Sequence, residues 1–170
     1  MKDLDNTEIN RFMNEISDKY PNFIYCGALP SDINPKFTID NNFDYGYIFN
    51  TDKATKPGQH WLAVFVDNHP PIDHSKSVEY FDPTGNKPIK PIEKYLKKQF
   101  GNRGYKFKVN SVQQQGLFIK DKKKLVFNNA CGAYSVNFLE NRLKGESFQE
   151  ATNYKPSDKY IMNLFDEIKR

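Results

Sequence analysis

The sequence predicts an α+β fold in a single domain that spans residues 1–170. Three observations lead to this prediction: helical patterns stand at both ends of the chain, several apolar strand-like runs lie between them, and no linker or internal repeat divides the chain. A chain of 170 residues can bury a sizeable core. With 38% hydrophobic and 15% aromatic residues, the composition excludes an intrinsically disordered protein.

The first predicted helix spans residues 6–18. Asp5 is placed to cap it, with Glu8 three residues later as the partner of a capping box. Its apolar positions repeat at helical spacing and form one stripe, consisting of Ile9, Phe12, Met13 and Ile16. The following segment, residues 23–44, is rich in proline and asparagine, so we expect it to be irregular.

Strands begin after this segment, with a short apolar run at residues 47–49. Residues 61–66 form a continuous apolar run, which is typical of a central strand buried on both faces. Residues 77–82 form the next predicted strand. Helical spacing returns at residues 88–100.

The C-terminal half continues with a half-buried strand predicted at residues 105–112, where Tyr, Phe and Val alternate with Lys. Residues 117–119 and 125–127 flank a lysine-rich turn and indicate a hairpin. A helix is predicted at residues 133–143. Ser157 caps a last helix, whose expected inward residues are Tyr160, Ile161, Leu164, Phe165 and Ile168.

The cysteine content and the N-terminal sequence indicate a reducing compartment. Only Cys26 and Cys131 are present, far apart in sequence, which does not fit a secreted disulfide framework. We expect no signal segment and no membrane span, and therefore a chain that is not secreted. The net charge of +4 is compatible with weak nucleic-acid contact but does not indicate it.

Cys131 lies in the stretch Asn-Asn-Ala-Cys-Gly-Ala-Tyr at residues 128–134, directly before a predicted helix. A helix N-terminus favours negative charge and lowers the pKa of a cysteine, so this position suits a nucleophilic thiolate. The alternative is a small buried hydrophobic residue at a helix start, because free cysteines are commonly buried. The stretch by itself leaves both readings open.

A thiol nucleophile needs a base, and the base needs an orienting acceptor. His60 stands at the start of the apolar strand at residues 61–66, and Asp82 closes the strand at residues 77–82. If the two strands pair antiparallel, Asp82 lies beside His60. The alternatives are a polar residue at a strand end for His60 and an ordinary turn residue for Asp82.

Other titratable residues compete for these roles. Glu79 is a second candidate acid, although it lies in the middle of its strand. His69 and His74 lie in a proline-rich connection, which is typical of solvated loop histidines.

Three ordered segments carry a resemblance to a known family. They are Gly-Gln-His-Trp-Leu-Ala at residues 58–63, Tyr-Phe-Asp-Pro-Thr-Gly at residues 80–85, and Ala-Cys-Gly at residues 130–132, which a Gln precedes at some distance in the chain. Together they resemble the adenain-like viral cysteine proteases and the wider group of ubiquitin-like-protein-specific proteases that shares their fold. The resemblance implies an adenain-like, papain-like α+β fold with a central mixed or antiparallel sheet against which the nucleophile helix packs.

The resemblance also implies roles for individual residues. It implies Cys131 as the nucleophile, His60 as the general base and Asp82 as the residue that orients the base. The adenovirus enzyme has a Glu at the acid position, whereas other members of the group have an Asp. Trp61 is expected to wall the substrate cleft.

The fourth expected catalytic residue is a Gln that members of the group place shortly before the Cys, where its amide helps to form the oxyanion hole. Here Gln113, Gln114 and Gln115 lie farther from Cys131. We therefore expect an inserted hairpin, residues 116–127, between the Gln and the Cys.

We assign the oxyanion role to Gln115, with Gln113 as the second choice. If the preceding strand continues this far, Gln113 and Gln115 share one face and Gln114 points away. Asn128 or Asn129 are alternative donors, and a polar strand end without a role is the remaining interpretation.

The resemblance implies a viral cysteine endopeptidase that cleaves capsid or core precursor proteins during virion maturation. It implies viral structural precursors as partners, no membrane, and a location in the virion and in the host cytoplasm or viral factory. We expect a monomer that needs no metal and no cofactor. A peptide or viral DNA activator is compatible with the sequence but not shown by it, and Cys26 does not match the position of the activating disulfide in the adenovirus enzyme.

Two other functions remain as alternatives. The first is a ubiquitin-like-protein-specific isopeptidase of the same fold. The second is a non-enzymatic nucleic-acid-binding protein that uses Lys120 and Lys122 to Lys124, although a lysine-rich tip without interleaved aromatic residues is more typical of a solvated turn.

Overall fold

The computed structural model of the chain describes residues 4–36, 38–120, 124–127 and 129–166. Its helices and strands follow in chain order: α1 (Asn6–Ser17), β1 (Phe23–Leu29), β2 (Asp44–Asn50), β3 (Trp61–Asp67), β4 (Ser77–Phe81), α2 (Lys90–Phe100), β5 (Lys106–Val109), β6 (Leu117–Lys120), β7 (Lys124–Phe127), α3 (Cys131–Leu143), α4 (Phe148–Asn153) and α5 (Asp158–Asp166). Helices at both ends and strands between them confirm the predicted α+β class.

The central sheet is mixed and has five strands in the order β1-β2-β3-β4-β5. The strands β2, β3 and β4 pair antiparallel, whereas β1 runs parallel to β2 and β5 runs parallel to β4. The strands β6 and β7 form the predicted hairpin as a separate antiparallel pair.

Helices cover both faces of the sheet, and the side chains of β3 pack against helices on each face. Ala63 and Phe65 belong to a core cluster that includes buried side chains of α1 and α3. Leu62, Val64 and Val66 belong to a second cluster that includes buried side chains of α2. Alternating side chains of a strand point to opposite faces of a sheet, so the continuous apolar run is buried from both sides, as predicted.

The helix α3, which begins at Cys131, lies at the centre of this arrangement, because it packs on β3 and against α1, α4 and α5. Most of its side chains are buried, including Ala133, Tyr134, Val136 and Leu139. Its position on the sheet was predicted from the resemblance and is confirmed.

Several elements differ from the prediction. The segment at residues 23–44 is not irregular throughout, since β1 occupies Phe23–Leu29. The strand β5 ends at Val109, and its apolar residues Phe107 and Val109 are exposed, so it is an edge strand and not a half-buried one. The helix α4 was not predicted. In α5, Tyr160 is exposed and not inward, whereas Ile161 is buried. The side chain of Phe165, and Ile168, lie outside the described residues.

A buried ion-pair network joins α3 to the sheet. Arg142 Nε donates to Glu79 at 2.7 Å, and Arg142 Nη2 donates to Glu79 at 3.1 Å and to Asp67 at 3.0 Å. Burial raises the pKa of Glu79, although the contacts with Arg142 act in the opposite direction. Glu79, the second candidate acid from the sequence, therefore anchors α3.

None of the described helices is long and apolar enough to cross a bilayer. Within the same described residues, no group of three or more His, Cys, Asp or Glu side chains is placed to hold a metal ion.

Candidate active site

His60 is held at the mouth of β3 by the end of the β2–β3 connection. The Thr51 N–H donates to the His60 carbonyl at 2.9 Å, which extends the pairing of the two strands by one step. The Asn50 side-chain oxygen accepts from the backbone N–H of Gln59 at 3.3 Å and of Asp52 at 2.9 Å. The backbone around His60 is therefore fixed, while its side chain is 18% exposed.

Asp82 meets His60, as the antiparallel pairing of β3 and β4 predicts. Ala63 pairs with Phe81, so the antiparallel register places Asp82 opposite Leu62, two residues from His60 on the same face of the strand. The His60 Nε2 to Asp82 Oδ1 distance is 2.8 Å. The same Oδ1 atom accepts from the Thr84 N–H at 2.8 Å and from the Thr84 hydroxyl at 2.6 Å. Three donors thus hold a carboxylate that is 4% exposed.

The contact with Asp82 also fixes which ring nitrogen of His60 can act as a base. An ionised carboxylate only accepts hydrogen bonds, so the Nε2 atom carries the proton. In the neutral ring, Nδ1 is then the acceptor. A carboxylate in this position can orient an imidazole ring and stabilise an imidazolium.

Cys131 is the first residue of α3, and its side chain is buried. The residue is 3% exposed, and its Sγ accepts from the Trp61 N–H at 3.4 Å. Because Trp61 directly follows His60, this bond places the thiol beside the histidine. The first turn of α3 itself contains no acidic residue, so no side chain of this turn opposes the effect of the helix dipole on the sulfur.

The three glutamines have different environments. The backbone N–H groups of Gln114 and Gln115 both donate to the Pro83 carbonyl at 2.9 Å, which ties this segment to the turn after Asp82. Gln114 Nε2 donates to the carbonyls of Ala151 at 3.0 Å and Tyr154 at 2.8 Å. Gln114 is therefore a structural residue that joins this segment to α4.

Gln115 is 1% exposed, and Gln113 is half-buried with its Nε2 donating to the Gln115 carbonyl at 2.9 Å. The assumption of a continuing strand was wrong here, because β5 has ended and Gln114 and Gln115 are both buried. Asn129 is exposed, and Asn128 lies outside the described residues.

Asp158 connects the glutamine segment to α3, a contact that the sequence did not reveal. Its Oδ1 accepts from the Gly116 N–H at 3.0 Å and from the Tyr134 hydroxyl at 2.7 Å. Tyr134 lies in the first turn of α3, so one carboxylate holds Gly116 and this turn together. The sequence offered one indication of this contact: Tyr134 lies in a predicted helix, and a buried tyrosine hydroxyl commonly has a hydrogen-bond partner.

Trp61 lies on the wall of a cleft beside the site. Its indole N–H donates to the Leu4 carbonyl at 3.1 Å. Trp61, the start of α1, the end of β1 and the β2–β3 connection line a cavity of about 530 Å³. Gln59 and Trp61, the two neighbours of His60 in the chain, both line this cavity.

The remaining candidate residues lie elsewhere. His69 Nδ1 contacts Asp44 at 3.0 Å, and His74 Nδ1 contacts the Ile72 carbonyl at 3.3 Å. Burial raises the pKa of the Cys26 thiol to about 12, which disfavours its thiolate at neutral pH.

Comparisons with known proteins identify relatives of this chain. No family model matches the chain. The chain is 34% identical over 165 residues to a protein of Acanthamoeba polyphaga mimivirus that is named as a thiol protease, and the match covers 85% of this chain and 49% of that protein. It is 30% identical over 134 residues to the cysteine protease of African swine fever virus (isolate Tick/Malawi/Lil 20-1/1983), covering 71% of this chain and 43% of that protein.

The protein of another isolate of that virus, Warthog/Namibia/Wart80/1980, is named a SUMO-1 cysteine protease and is 29% identical over 134 residues, which cover 71% of this chain and 43% of that protein. The chain spans about half the length of the curated relatives it matches. Each of these relatives is named as a thiol or cysteine protease.

Solved structures show the same fold. A crystal structure of the African swine fever virus protease matches with a TM-score of 0.72 and 22% identity over 96% of this chain and 66% of that chain. The SUMO protease Ulp1 matches with a TM-score of 0.62 and 15% identity over 96% of this chain and 74% of that chain. The fold class expected from the resemblance is confirmed.

Proposed function

We propose that this chain, a homologue of viral cysteine proteases with the fold of the SUMO protease Ulp1, is an endopeptidase that cleaves structural precursor proteins during virion maturation. The observation that carries the proposal is a continuous set of contacts. Asp82 holds His60 at 2.8 Å, and the backbone N–H of the next residue, Trp61, holds the Cys131 sulfur at 3.4 Å. An acid, a base and a thiol in this order are the parts that thiol-dependent acyl transfer requires.

In the proposed acylation step, His60 Nδ1 takes the proton of Cys131 while the sulfur forms a bond to the scissile carbonyl carbon. The carbonyl oxygen becomes an oxyanion, for which the Cys131 N–H and the Gln115 side-chain amide are the proposed donors. The His60 imidazolium, stabilised by Asp82, then gives its proton to the leaving amine as the C–N bond breaks. A thioester to Cys131 remains.

In the proposed deacylation step, His60 takes a proton from water, and the resulting hydroxide attacks the thioester carbonyl. The C–S bond breaks, and the imidazolium returns the proton to the Cys131 thiolate. The product is a carboxylic acid, and the enzyme is restored without a metal or an external cofactor.

The cleft beside Trp61 supports an extended peptide as substrate. Following the resemblance, we propose small residues, including glycine, next to the scissile bond, and capsid or core precursors as the proteins that contain them. The proposal places a monomeric enzyme in the virion and in the host cytoplasm or viral factory. A viral peptide or viral DNA is tested as an activator by adding each to the purified chain.

A second candidate function is the release of ubiquitin-like proteins from conjugates. It is favoured by the relative that is named a SUMO-1 cysteine protease and by the fold shared with Ulp1. The same set of contacts would carry this isopeptidase reaction, so only the substrate distinguishes the two functions.

Nucleic-acid binding through the lysine-rich hairpin remains the non-enzymatic alternative. The backbone of Lys120 pairs with that of Lys124, and Lys122 and Lys123 lie outside the described residues.

The test compares the wild-type chain with the variants Cys131→Ala and Cys26→Ala on viral precursor peptides and on a SUMO conjugate. We expect Cys131→Ala to abolish cleavage and to keep the fold, and Cys26→Ala to retain activity. Iodoacetamide at pH 7 should label Cys131 in preference to Cys26, whose pKa is raised by burial to about 12. Turnover near wild type in Cys131→Ala would refute the nucleophile, and cleavage of the SUMO conjugate alone would favour the second candidate function.

A further inference from the structure

Asn110, the residue after β5, uses its side chain as a replacement for the strand ladder. The last parallel pair of β4 and β5 is Tyr80 with Val109, and the Asn110 N–H still donates to the Tyr80 carbonyl at 3.2 Å. Beyond this pair, the side-chain amide of Asn110 makes the hydrogen bonds to the β4 side that a strand backbone would otherwise make. Its Oδ1 accepts from the Asp82 N–H at 2.8 Å, and its Nδ2 donates to the Asp82 carbonyl at 2.7 Å.

The same amide also reaches the segment that leads to Gln115. Asn110 Nδ2 donates to the Val112 carbonyl at 3.2 Å. The Pro83 carbonyl accepts from the backbone N–H groups of Gln114 and Gln115 at 2.9 Å. The end of β4 and the turn that follows it are therefore hydrogen-bonded both to Asn110 itself and to the segment after Asn110.

Close packing makes this unit rigid. Gly85 has a φ of +74°, and an added Cβ would lie 3.0 Å from the Ser111 carbonyl oxygen and 3.1 Å from the Gln113 nitrogen. The two backbones are thus in contact where only glycine fits. Asn110 itself is 4% exposed, so water does not easily replace its bonds.

We propose that Asn110 is a positioning residue that sets two parts of the catalytic machinery together: the orientation of the Asp82 carboxylate toward His60, and the placement of Gln115. The proposal rests on the proposed function. An amide is suited to this role because it donates and accepts at once, whereas a carboxylate lacks the donor and an aliphatic side chain lacks both.

The proposal is tested with two probes that report on the two parts separately. The first probe is iodoacetamide, since the pH dependence of Cys131 alkylation reports how well Asp82 and His60 support the thiolate. The second probe is the peptide aldehyde N-acetyl-Leu-Gly-glycinal, whose tetrahedral adduct with the thiol places an oxygen in the oxyanion hole.

We expect Asn110→Ala to move the midpoint of the pH dependence of Cys131 alkylation to higher pH. The reason is that a displaced Asp82 stabilises the His60 imidazolium less, so the thiolate forms only at higher pH. We also expect the aldehyde to bind about 10–10²-fold more weakly and kcat to fall by a similar factor with little change in KM. Gln115→Ala should weaken binding of the aldehyde and leave the pH midpoint of alkylation unchanged. Asp82→Asn should move the pH midpoint of alkylation. Only Asn110→Ala should affect both probes.

Asn68→Ala is the matched control for a general loss of stability. Asn68 is 5% exposed, and its Nδ2 donates to the Phe43 carbonyl at 2.7 Å, in a buried amide clamp among residues that the active site does not use. If Asn68→Ala lowers the melting temperature as much as Asn110→Ala does, we expect it to keep the wild-type pH midpoint of alkylation and the wild-type affinity for the aldehyde.

The proposal is overturned if Asn110→Ala is folded and matches the wild type with both probes, or if Asn68→Ala changes both probes equally. A wild-type chain that forms no thiolate below pH 8 and binds no aldehyde would overturn the proposed function as well. Normal wild-type behaviour combined with a silent Asn110→Ala would overturn this inference alone.

Discussion

The two halves of the candidate active site are positioned in different ways. His60 and Asp82 stand at the ends of two antiparallel strands, and the strand pairing itself brings them together. Gln115 lies in a segment without regular structure, which is held by Pro83 on one side and by residues of the C-terminal helices on the other. The first arrangement depends on strand register, and the second depends on side chains distant in sequence.

This difference implies different responses to mutation. A change at the strand ends removes a chemical group from a rigid frame, so the loss should appear in the chemical step. A change among the contacts of the Gln115 segment allows the donor to move, so several distant residues should each produce a smaller loss.

The largest effect in this comparison is expected for Asp82→Asn, which should lower kcat by up to about 10⁴-fold with little change in KM, because it disturbs the orientation and the charge of His60. Steady-state kinetics on a precursor peptide measures both constants. Asp44→Asn is the matched control, since it alters the other His–Asp contact, 3.0 Å from His69, and should leave turnover unchanged. A large rise in KM at constant kcat would argue against the assigned role of Asp82.

Gln115→Ala is expected to lower kcat by about 10²–10³-fold, because the donor acts mainly on the developing oxyanion. Gln113→Ala and Asn129→Ala should remain near wild type in the same peptide assay. If Gln115→Ala is silent and either of the other variants is crippled, the donor has been assigned to the wrong residue.

Asp158→Ala should have a smaller effect, with kcat lowered about tenfold by displacement of the Gln115 segment. The free energy of unfolding should fall by about 1–3 kcal/mol, because the Gly116 N–H and the Tyr134 hydroxyl lose this acceptor. Tyr134→Phe, which removes only one of the two donors, is the control and should change kcat less. Equal kcat losses in the two variants would mean that the bond to Gly116 has no specific role.

Shortening the hairpin tip at Lys122 to Lys124 should have the smallest effect and leave peptide turnover nearly unchanged. The pair of Leu117 with Phe127 stands at the end of the two strands that leads to Gln115 and Cys131, and the pair of Lys120 with Lys124 stands at the opposite end. A strong loss of turnover on short peptides would place the tip in the substrate cleft.

The strand-end half of the site could be predicted because it depends on local pattern. The apolar run of β3 and the Asp-Pro-Thr-Gly turn after β4 indicated two strand ends, and antiparallel pairing brought them together. Thr84 was missed, although a residue two positions after an Asp in a turn commonly donates to its carboxylate.

The Gln115 half was harder to predict. The strand β5 ends early because the Asn110 side chain replaces the ladder, and periodicity does not reveal such a substitution. The contacts of Gln114 with Ala151 and of Gly116 with Asp158 link residues that are 37 and 42 positions apart, which only the folded chain brings together.

The same distinction applies to the fold. The helix α4 carried a readable signal, since Ser147 and Glu150 form a capping box. The strand β1 carried no such signal in the sequence. Its pairing with β2 shifts register between Tyr25 and Ala28, around Gly27, which has a φ of +109°. The side chain of Asn10 accepts from the Ala28 N–H at 2.9 Å, so α1 helps to define this strand.

The Arg142 network has a consequence for how the protein opens. Detaching α3 from the sheet would separate Arg142 from Glu79 and Asp67 and leave buried charges without their partners, which is strongly unfavourable. Partial opening of this helix is therefore suppressed, and its amide hydrogens should exchange with solvent only when β3 and β4 also unfold. The amides of α5, which lies outside this network, should exchange faster.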